Sequence, residues 1–132
     1  LYTVNIDGTG LKQLTPDHDN PIGAVGPVWS PDGRQLLYVD QVGSALEIFT
    51  CRADGSQRRQ LTRLRQIATS PAWSPRMDWI TFRVTDEAYW RTEQKKNKAY
   101  TDKQADKRPV YALRLVGGQP QPVGPLAYQC AI

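Results

Sequence analysis

Two short phrases occur twice in this sequence at nearly constant spacing. Trp-Ser-Pro-Asp-Gly at residues 29–33 returns as Trp-Ser-Pro at residues 73–75, which is 44 positions further on. Asp-Gly-Thr at residues 7–9, followed by Leu-Thr, returns 47 positions later as Asp-Gly-Ser at residues 54–56, again followed by Leu-Thr. A period of about 45 residues, made of short β-rich runs between Gly and Pro turns, is typical of a β-propeller blade. The repeat therefore predicts an all-β fold built from four-stranded antiparallel blades.

The period divides the chain into blades. We expect residues 1–15 to form the outer strands of a partial blade and residues 27–64 to form a complete one. Residues 71–123 should form a second complete blade, and residues 126–132 the start of a further one. Residues 1–132 then make one propeller segment, with about two complete blades and partial blades at both ends.

The second complete blade carries an insertion at residues 85–108. Ten residues separate Tyr38 from Ile48 in the first complete blade, whereas twenty-eight separate Phe82 from Val110 in the second. The inserted residues are rich in helix formers and contain neither Gly nor Pro, which favours a helix or a long hairpin that projects from the ring.

The insertion also holds the charge excess of the chain. The net charge is +4, and residues 91–108 contain seven basic and three acidic side chains, which give the same +4. Aromatic and basic residues interleave here, which suits contact with a protein or a glycan. The candidate partner-binding residues are Tyr89, Trp90, Arg91, Lys95, Lys96, Lys98 and Tyr100. The alternative is a solvated loop whose aromatic rings pack on their own blade, and nucleic acid is disfavoured because no nucleic-acid module accompanies the basic run.

The repeated residues themselves are interpreted as structural. Trp29 and Trp73 offer large apolar surfaces for packing between blades, and each indole N–H needs an acceptor. Ser30, Ser74 and Asp32 are expected to hold turns through local hydrogen bonds, and Gly33 to take a left-handed backbone conformation. Asp54 and Gly55 make the turn of the second phrase. Residues 76–78, Arg-Met-Asp, replace the Asp-Gly turn, and we expect the turn there to be one residue longer and of different geometry.

No catalytic, cofactor-binding or metal-binding set is predicted. His18 is the single histidine, in a loop with Asp17 and Asp19, and a solvated polar loop is preferred there over a metal site. Cys51 and Cys130 fit no metal spacing and are expected to be unpaired thiols, with the redox compartment left open. No apolar run approaches the roughly 20 residues that span a bilayer.

These motifs resemble the TolB-like (WD-like) propeller repeat, which reads Pro-x-Trp-Ser-Pro-Asp-Gly, a β run, Asp-Gly, then Leu-Thr. Residues 27–33, 48–49, 54–55 and 61–62 match this pattern, whereas residues 76–78 depart from it. The resemblance implies a non-catalytic binding or scaffold module of the periplasm, the cell surface or the secreted fraction. The alternative is an accessory propeller domain of a peptidase-like hydrolase whose catalytic domain is absent from this chain.

The predicted strands are too few to close a ring. Two complete blades and two partial ones give about eleven strands, whereas propellers typically have four to eight blades. Open blade faces leave apolar surface and strand edges exposed. We therefore expect the remaining blades to come from the same longer chain or from a second copy.

Overall fold

The computed structural model describes residues 1–16, 25–85 and 109–123, and within these ranges the regular structure is entirely β. The strands are β1 (Tyr2–Thr3), β2 (Lys12–Gln13), β3 (Val25–Trp29), β4 (Gln35–Val42), β5 (Ala45–Arg52), β6 (Arg59–Gln60), β7 (Ile67–Trp73), β8 (Trp79–Thr85), β9 (Val110–Arg114) and β10 (Gln121–Pro122). The predicted all-β fold is therefore confirmed.

The strands form two successive antiparallel units of four. Strands β3, β4, β5 and β6 pair in chain order and make the first blade, and β7, β8, β9 and β10 pair in the same way and make the second. A parallel contact, Leu46 opposite Ile67, links β5 to β7 and so joins the blades. Strands β1 and β2 form a separate pair. Two four-stranded units beside an incomplete one are the partial propeller that the repeat predicts.

The central hairpin of the first blade has long strands and a short turn. Strand β4 continues to Val42, and its partner β5 begins at Ala45. Only two residues connect them, and Gly43 has a φ of 62°. A tight hairpin of this kind needs positive φ, which glycine supplies without steric strain.

Two apolar clusters occupy the opposite faces of β4 and β5, because successive side chains of a strand point to opposite faces. The larger cluster lies between the two blades and is formed by Leu37, Val39, Leu46, Ile48, Ile67, Ala68, Ile80, Phe82, Val84 and Leu113. The smaller one faces the β1–β2 pair and is formed by Leu14, Leu36, Tyr38, Phe49 and Cys51. Each blade therefore packs one face against the strands that precede it in the chain.

The two repeated tryptophans have different environments. Trp73 packs against the larger cluster, and its Nε1 donates a hydrogen bond to the Val28 carbonyl oxygen at 3.2 Å. That bond ties the inner strand of the second blade to β3, the inner strand of the first. Trp29 is 50% exposed. The same residue type at the same repeat position thus joins two blades in one case and lies at the open side of the segment in the other.

The turns after the two tryptophans have the same length and geometry, so the expectation of a longer turn at residues 76–78 is wrong. In the first blade the Gly33 N–H donates to the Ser30 carbonyl oxygen at 2.9 Å, and in the second the Met77 N–H donates to the Ser74 carbonyl oxygen at 2.9 Å. Gly33 has a φ of 67° and Met77 a φ of 58°. Methionine has therefore taken the left-handed position of glycine without lengthening the turn.

A serine hydroxyl organises both turns, although its acidic partner has moved. The Ser30 hydroxyl donates to Asp32 Oδ1 at 2.6 Å and accepts from the Gln35 N–H at 2.9 Å. The Ser74 hydroxyl donates to Asp78 Oδ1 at 2.8 Å and accepts from the Trp79 N–H at 3.0 Å. The repeat therefore preserves the hydrogen-bond pattern while the carboxylate shifts by two positions.

Candidate functional site

The candidate partner-binding residues of the insertion lie outside the described residues. This holds for Tyr89, Trp90, Arg91, Lys95, Lys96, Lys98 and Tyr100, and also for His18 and Cys130. The structure does describe the two points at which the insertion is attached. Arg83 pairs with Val110, and the Val84 N–H donates to the Pro109 carbonyl oxygen at 3.2 Å. The insertion is therefore anchored on a paired end of β8 and β9.

The attachment points lie at the end of the sheet where the first blade has its tight hairpin. Tyr38 faces Phe49 across β4 and β5, and Phe82 faces Tyr111 across β8 and β9, so the two hairpins are in corresponding register. Residues 43–44 close the hairpin in the first blade, and residues 86–108 join the same strands in the second. The connection from β6 to β7, residues 61–66, reaches the same end, since the Leu46 N–H donates to the Gln66 carbonyl oxygen at 3.0 Å. We call this end of the sheet the loop end.

A buried glutamate fixes the connection between the blades. Glu47 is 2% exposed, and its Oε1 accepts from the Arg65 N–H at 2.7 Å while its Oε2 accepts from the Thr62 hydroxyl. The Thr62 oxygen in turn accepts from the Ile48 N–H at 2.9 Å. Buried carboxylates are tolerated when several donors satisfy their oxygens. Glu47 therefore holds residues 62–65 in place beside the loop end.

A second buried carboxylate belongs to a charged cluster on the face of the smaller apolar cluster. The Asp40 side chain is fully buried, and its Oδ2 lies 2.8 Å from a terminal nitrogen of Arg58. Arg58 Nε also donates to the Tyr38 hydroxyl at 3.0 Å, and its guanidinium carbon lies 4.3 Å from the centre of the Phe49 ring. Burial raises the pKa of the Tyr38 phenol. Charge pairing, a hydrogen bond and ring stacking all engage Arg58, so the cluster fixes this side chain against β4 and β5.

A cleft of about 290 Å³ opens between the outer strand of the first blade, β6, and the end of β9 in the second blade. Its lining comes from the region of β6 and from the end of β9 with the following turn: Arg59, Gln60, Leu61, Arg63, Leu113, Arg114, Leu115, Gly117 and Gly118. We call it the arginine cleft. The guanidinium carbon of Arg114 lies 5.8 Å from the centre of the Trp79 ring, which places that cation beside an aromatic surface.

The arginine cleft was not found from the sequence, because the charge was summed over long segments and its local density was not considered. Outside residues 91–108 the charges balance, yet residues 52–65 contain five arginines and a single aspartate. That local density was the available signal. The sequence does not show that Arg114 lies in the same cleft as Arg59 and Arg63, because this depends on how β6 and β9 are placed beside each other.

The described residues contain no group of three or more His, Cys, Asp or Glu side chains arranged to hold a metal ion. The Cys51 thiol is free and buried, and burial raises its pKa. Among the same residues no helix is long and apolar enough to cross a membrane.

Comparisons with known proteins give partial matches to peptidases and to a Tol-Pal system protein. The chain is 36% identical to dipeptidyl-peptidase 5 of Porphyromonas endodontalis over 64 residues, which is 48% of this chain and 9% of that protein. It is 38% identical to the uncharacterized peptidase YuxL of Bacillus subtilis over 50 residues, 37% of this chain and 8% of that protein. It is 29% identical to the Tol-Pal system protein TolB of Francisella tularensis over 75 residues, 57% of this chain and 17% of that protein. The chain thus matches less than a fifth of the length of these relatives, and no family model matches it.

Solved structures match over nearly the whole chain. A putative TolB from Agrobacterium tumefaciens superposes with a TM-score of 0.64 at 23% identity, over 92% of this chain and 39% of that one. TolB from Acinetobacter baumannii superposes with a TM-score of 0.67 at 17% identity, over 93% of this chain and 26% of that one. At these identities the likeness concerns the fold. The chain therefore has the fold of part of a TolB β-propeller, as the resemblance of its motifs to the TolB-like repeat implies.

Proposed function

We propose that this chain is part of a non-catalytic binding or scaffold module, which presents its loop end and the insertion to a protein or glycan partner. The observation that carries the proposal is the anchoring of the insertion. Residues 84 and 109 hold it on a paired end of β8 and β9, at the same end of the sheet as the hairpin at residues 43–44 and the connection at residues 61–66. Loops on a rigid β scaffold are a common place for binding residues.

The proposed contact residues are the basic and aromatic side chains of the insertion. Tyr and Trp provide large contact areas and lose little side-chain conformational entropy on binding, and Lys and Arg favour a partner with acidic groups. We place the chain within one propeller segment, residues 1–132, whose remaining blades come from the same longer chain or from a second copy. The similarity to TolB favours the periplasm, the cell surface or the secreted fraction.

Peptide and glycan arrays test the role of the insertion. The wild-type chain is compared with a variant carrying Lys95→Gln, Lys96→Gln, Lys98→Gln and Trp90→Ala. The matched control carries Lys12→Gln, Arg34→Gln, Arg76→Gln and Trp29→Ala, which remove the same charge and ring from other positions. We expect spots bound by the wild type to be lost with the insertion variant and kept with the control. Equal binding by all three chains would overturn the role of the insertion.

The second candidate is an accessory propeller domain of a peptidase-like hydrolase. It is favoured by the two peptidase matches, whose identities of 36% and 38% exceed the 29% of the TolB match. Sequencing the flanks of the coding region separates the two. A downstream nucleophile elbow, Gly-x-Ser-x-Gly, would favour the hydrolase domain, whereas further blades alone would favour the binding module.

The source of the missing blades is open to a direct measurement. Light scattering after size exclusion gives the solution mass of the 132-residue chain. A discrete dimer or trimer would show that copies complete the ring and that the insertion is repeated around it. A monomer would place the remaining blades in the same longer chain.

A further inference from the structure

The arginine cleft is a second candidate contact surface, which extends from the start of the β6–β7 connection at Leu61 and Arg63 to the turn after β9. Arg59, Arg63 and Arg114 line it, all three are exposed, and its lining includes no carboxylate among the described residues. The salt bridge between Arg58 and Asp40 involves none of these three side chains. Three cations that share a cleft without a counter-charge repel one another, so an anionic ligand relieves that repulsion on binding.

Part of the cleft wall is apolar. Leu113 is 5% exposed, and Leu61 and Leu115 are partly buried against the cluster between the blades. The ligand that suits this lining therefore combines negative groups with an aliphatic part. Carboxylates match the planar fork of a guanidinium group, and leucine walls match a leucine or valine side chain.

The turn after β9 gives the cleft its shape. Gly117 has a φ of 66°, and a Cβ on Gly118 would lie 2.6 Å from both the Cβ and the carbonyl oxygen of Arg114. A larger residue at position 118 would force this turn away from the end of β9. The glycine pair therefore lets the turn lie close against Arg114 and form one wall.

We propose that the arginine cleft binds a short acidic segment of a partner protein, with carboxylates on the arginines and an aliphatic side chain against the leucines. The cleft is at the lower end of the volumes that ligand pockets reach, which suits a short extended segment. Among the described residues the lining itself has no aromatic ring and Trp79 stands beside Arg114 as a single one, whereas surfaces for single-stranded nucleic acids use several aromatic rings to stack successive bases. The proposal rests on the proposed binding function for its class of partner, but it uses residues that the insertion does not contain.

Fluorescence anisotropy with a labelled six-residue peptide of alternating Asp and Leu tests the proposal on the 132-residue chain. The cleft variant carries Arg59→Gln, Arg63→Gln and Arg114→Gln. The matched control carries Arg34→Gln, Arg52→Gln and Arg76→Gln, which remove the same charge from exposed positions outside the cleft. Three partly exposed ion pairs together correspond to a loss of about tenfold in affinity. We expect that loss in the cleft variant, little change in the control, and weaker binding of the same peptide with Asn in place of Asp.

Four outcomes would overturn the proposal. Equal weakening of both variants would show that net charge alone attracts the peptide, and equal binding of the Asn peptide would show that carboxylates are not recognised. If a thymidine oligonucleotide binds more tightly than the acidic peptide and loses that binding in the cleft variant, the cleft is assigned to nucleic acid.

A further variant, Lys95→Gln with Lys96→Gln and Lys98→Gln, should bind the acidic peptide like the wild type. If it loses binding while the cleft variant keeps it, the cleft assignment fails and the insertion carries the contact, so the two proposals are tested separately.

Discussion

The two blades share their strand pairing but differ in what occupies corresponding positions. Tyr38 stacks on Phe49 with ring centres 5.9 Å apart, and Phe82 stacks on Tyr111 at the same 5.9 Å, so the hydroxyl has moved to the opposite strand. Asp40 in the first blade corresponds to Val84 in the second, 44 positions later. The two blades thus share the stacked aromatic pair and the pairing of their strands, while the charged cluster of Asp40 and Arg58 belongs to the first blade.

The turns and bulges show the same relation. Met77 takes the left-handed position of Gly33, and Ser70 takes that of Gly26, within a register shift that both inner strands share. Gln57 likewise takes the position of Gly10 in the Asp-Gly phrase, 47 positions later. The backbone path is therefore fixed by strand pairing and local hydrogen bonds strongly enough to hold a side chain where glycine is preferred. Repeat position predicts conformation better than residue type does.

The largest expected effect separates the two tryptophans. Trp73→Ala should lower the free energy of unfolding by about 3 kcal/mol, because it removes a ring packed between the blades and its hydrogen bond to Val28. Trp29→Ala should have a clearly smaller effect, since that ring is 50% exposed. Urea unfolding followed by circular dichroism measures both. Equal losses would show that Trp29 is as well packed as Trp73 and would contradict the arrangement of the blades.

The next largest expected effect on the free energy of unfolding comes from giving position 40 of the first blade the valine that the second blade has at position 84. Asp40→Val leaves Arg58 without its carboxylate, and we expect a loss of about 2 kcal/mol, below the usual value for a buried pair because the Arg58 side chain is 36% exposed. Adding Arg58→Met should recover much of that loss, since removing both charges avoids the unpaired cation. Unfolding of the two single variants and the double variant forms the cycle. A double variant that loses the sum of both single effects would mean that the two side chains do not act as a pair.

Exchanging residues between the two turns tests whether methionine is strained. Met77→Gly should raise the free energy of unfolding by about 0.5 kcal/mol, because relief of the left-handed strain exceeds the added flexibility of the unfolded chain. Gly33→Met should lower it by about 1 kcal/mol through backbone strain alone, since a Cβ at Gly33 meets nothing within 4 Å. Thermal unfolding of both variants decides this. Destabilisation by Met77→Gly would mean that the Met77 side chain makes packing contacts worth more than its strain.

The sequence predicted an all-β fold of four-stranded antiparallel blades, because the repeat period and the turn residues are properties of short stretches of the sequence. It misjudged the turn at residues 76–78, because a non-glycine residue with positive φ carries no sequence signal of its own. It also missed the roles of Glu47 and Arg58, whose partners lie 15 to 20 residues away in the chain, in the β6–β7 connection for Glu47 and on β4 for Arg58. The arginine cleft joins β6 to β9, which are about fifty residues apart, so its existence depends on the packing of one blade on the next. Local patterns thus predicted the blades, and contacts between strands determined the candidate sites.

The smallest expected effect concerns the acid sensitivity of the first turn. The Ser30 hydroxyl, followed by the Arg34 N–H, holds the pKa of Asp32 below its ordinary value. The folded pKa is therefore below the unfolded one, so the stabilisation is present above the unfolded pKa and disappears as the pH falls through the folded pKa. Ser30→Ala should raise the Asp32 pKa toward its ordinary value, as followed by carboxyl NMR titration. Ser56→Ala is the matched control, because Ser56 lowers the pKa of Asp54 in the same way and should leave Asp32 unchanged. An Asp32 pKa that does not respond to loss of the Ser30 hydroxyl would show that the backbone N–H of Arg34 holds the carboxylate without the serine.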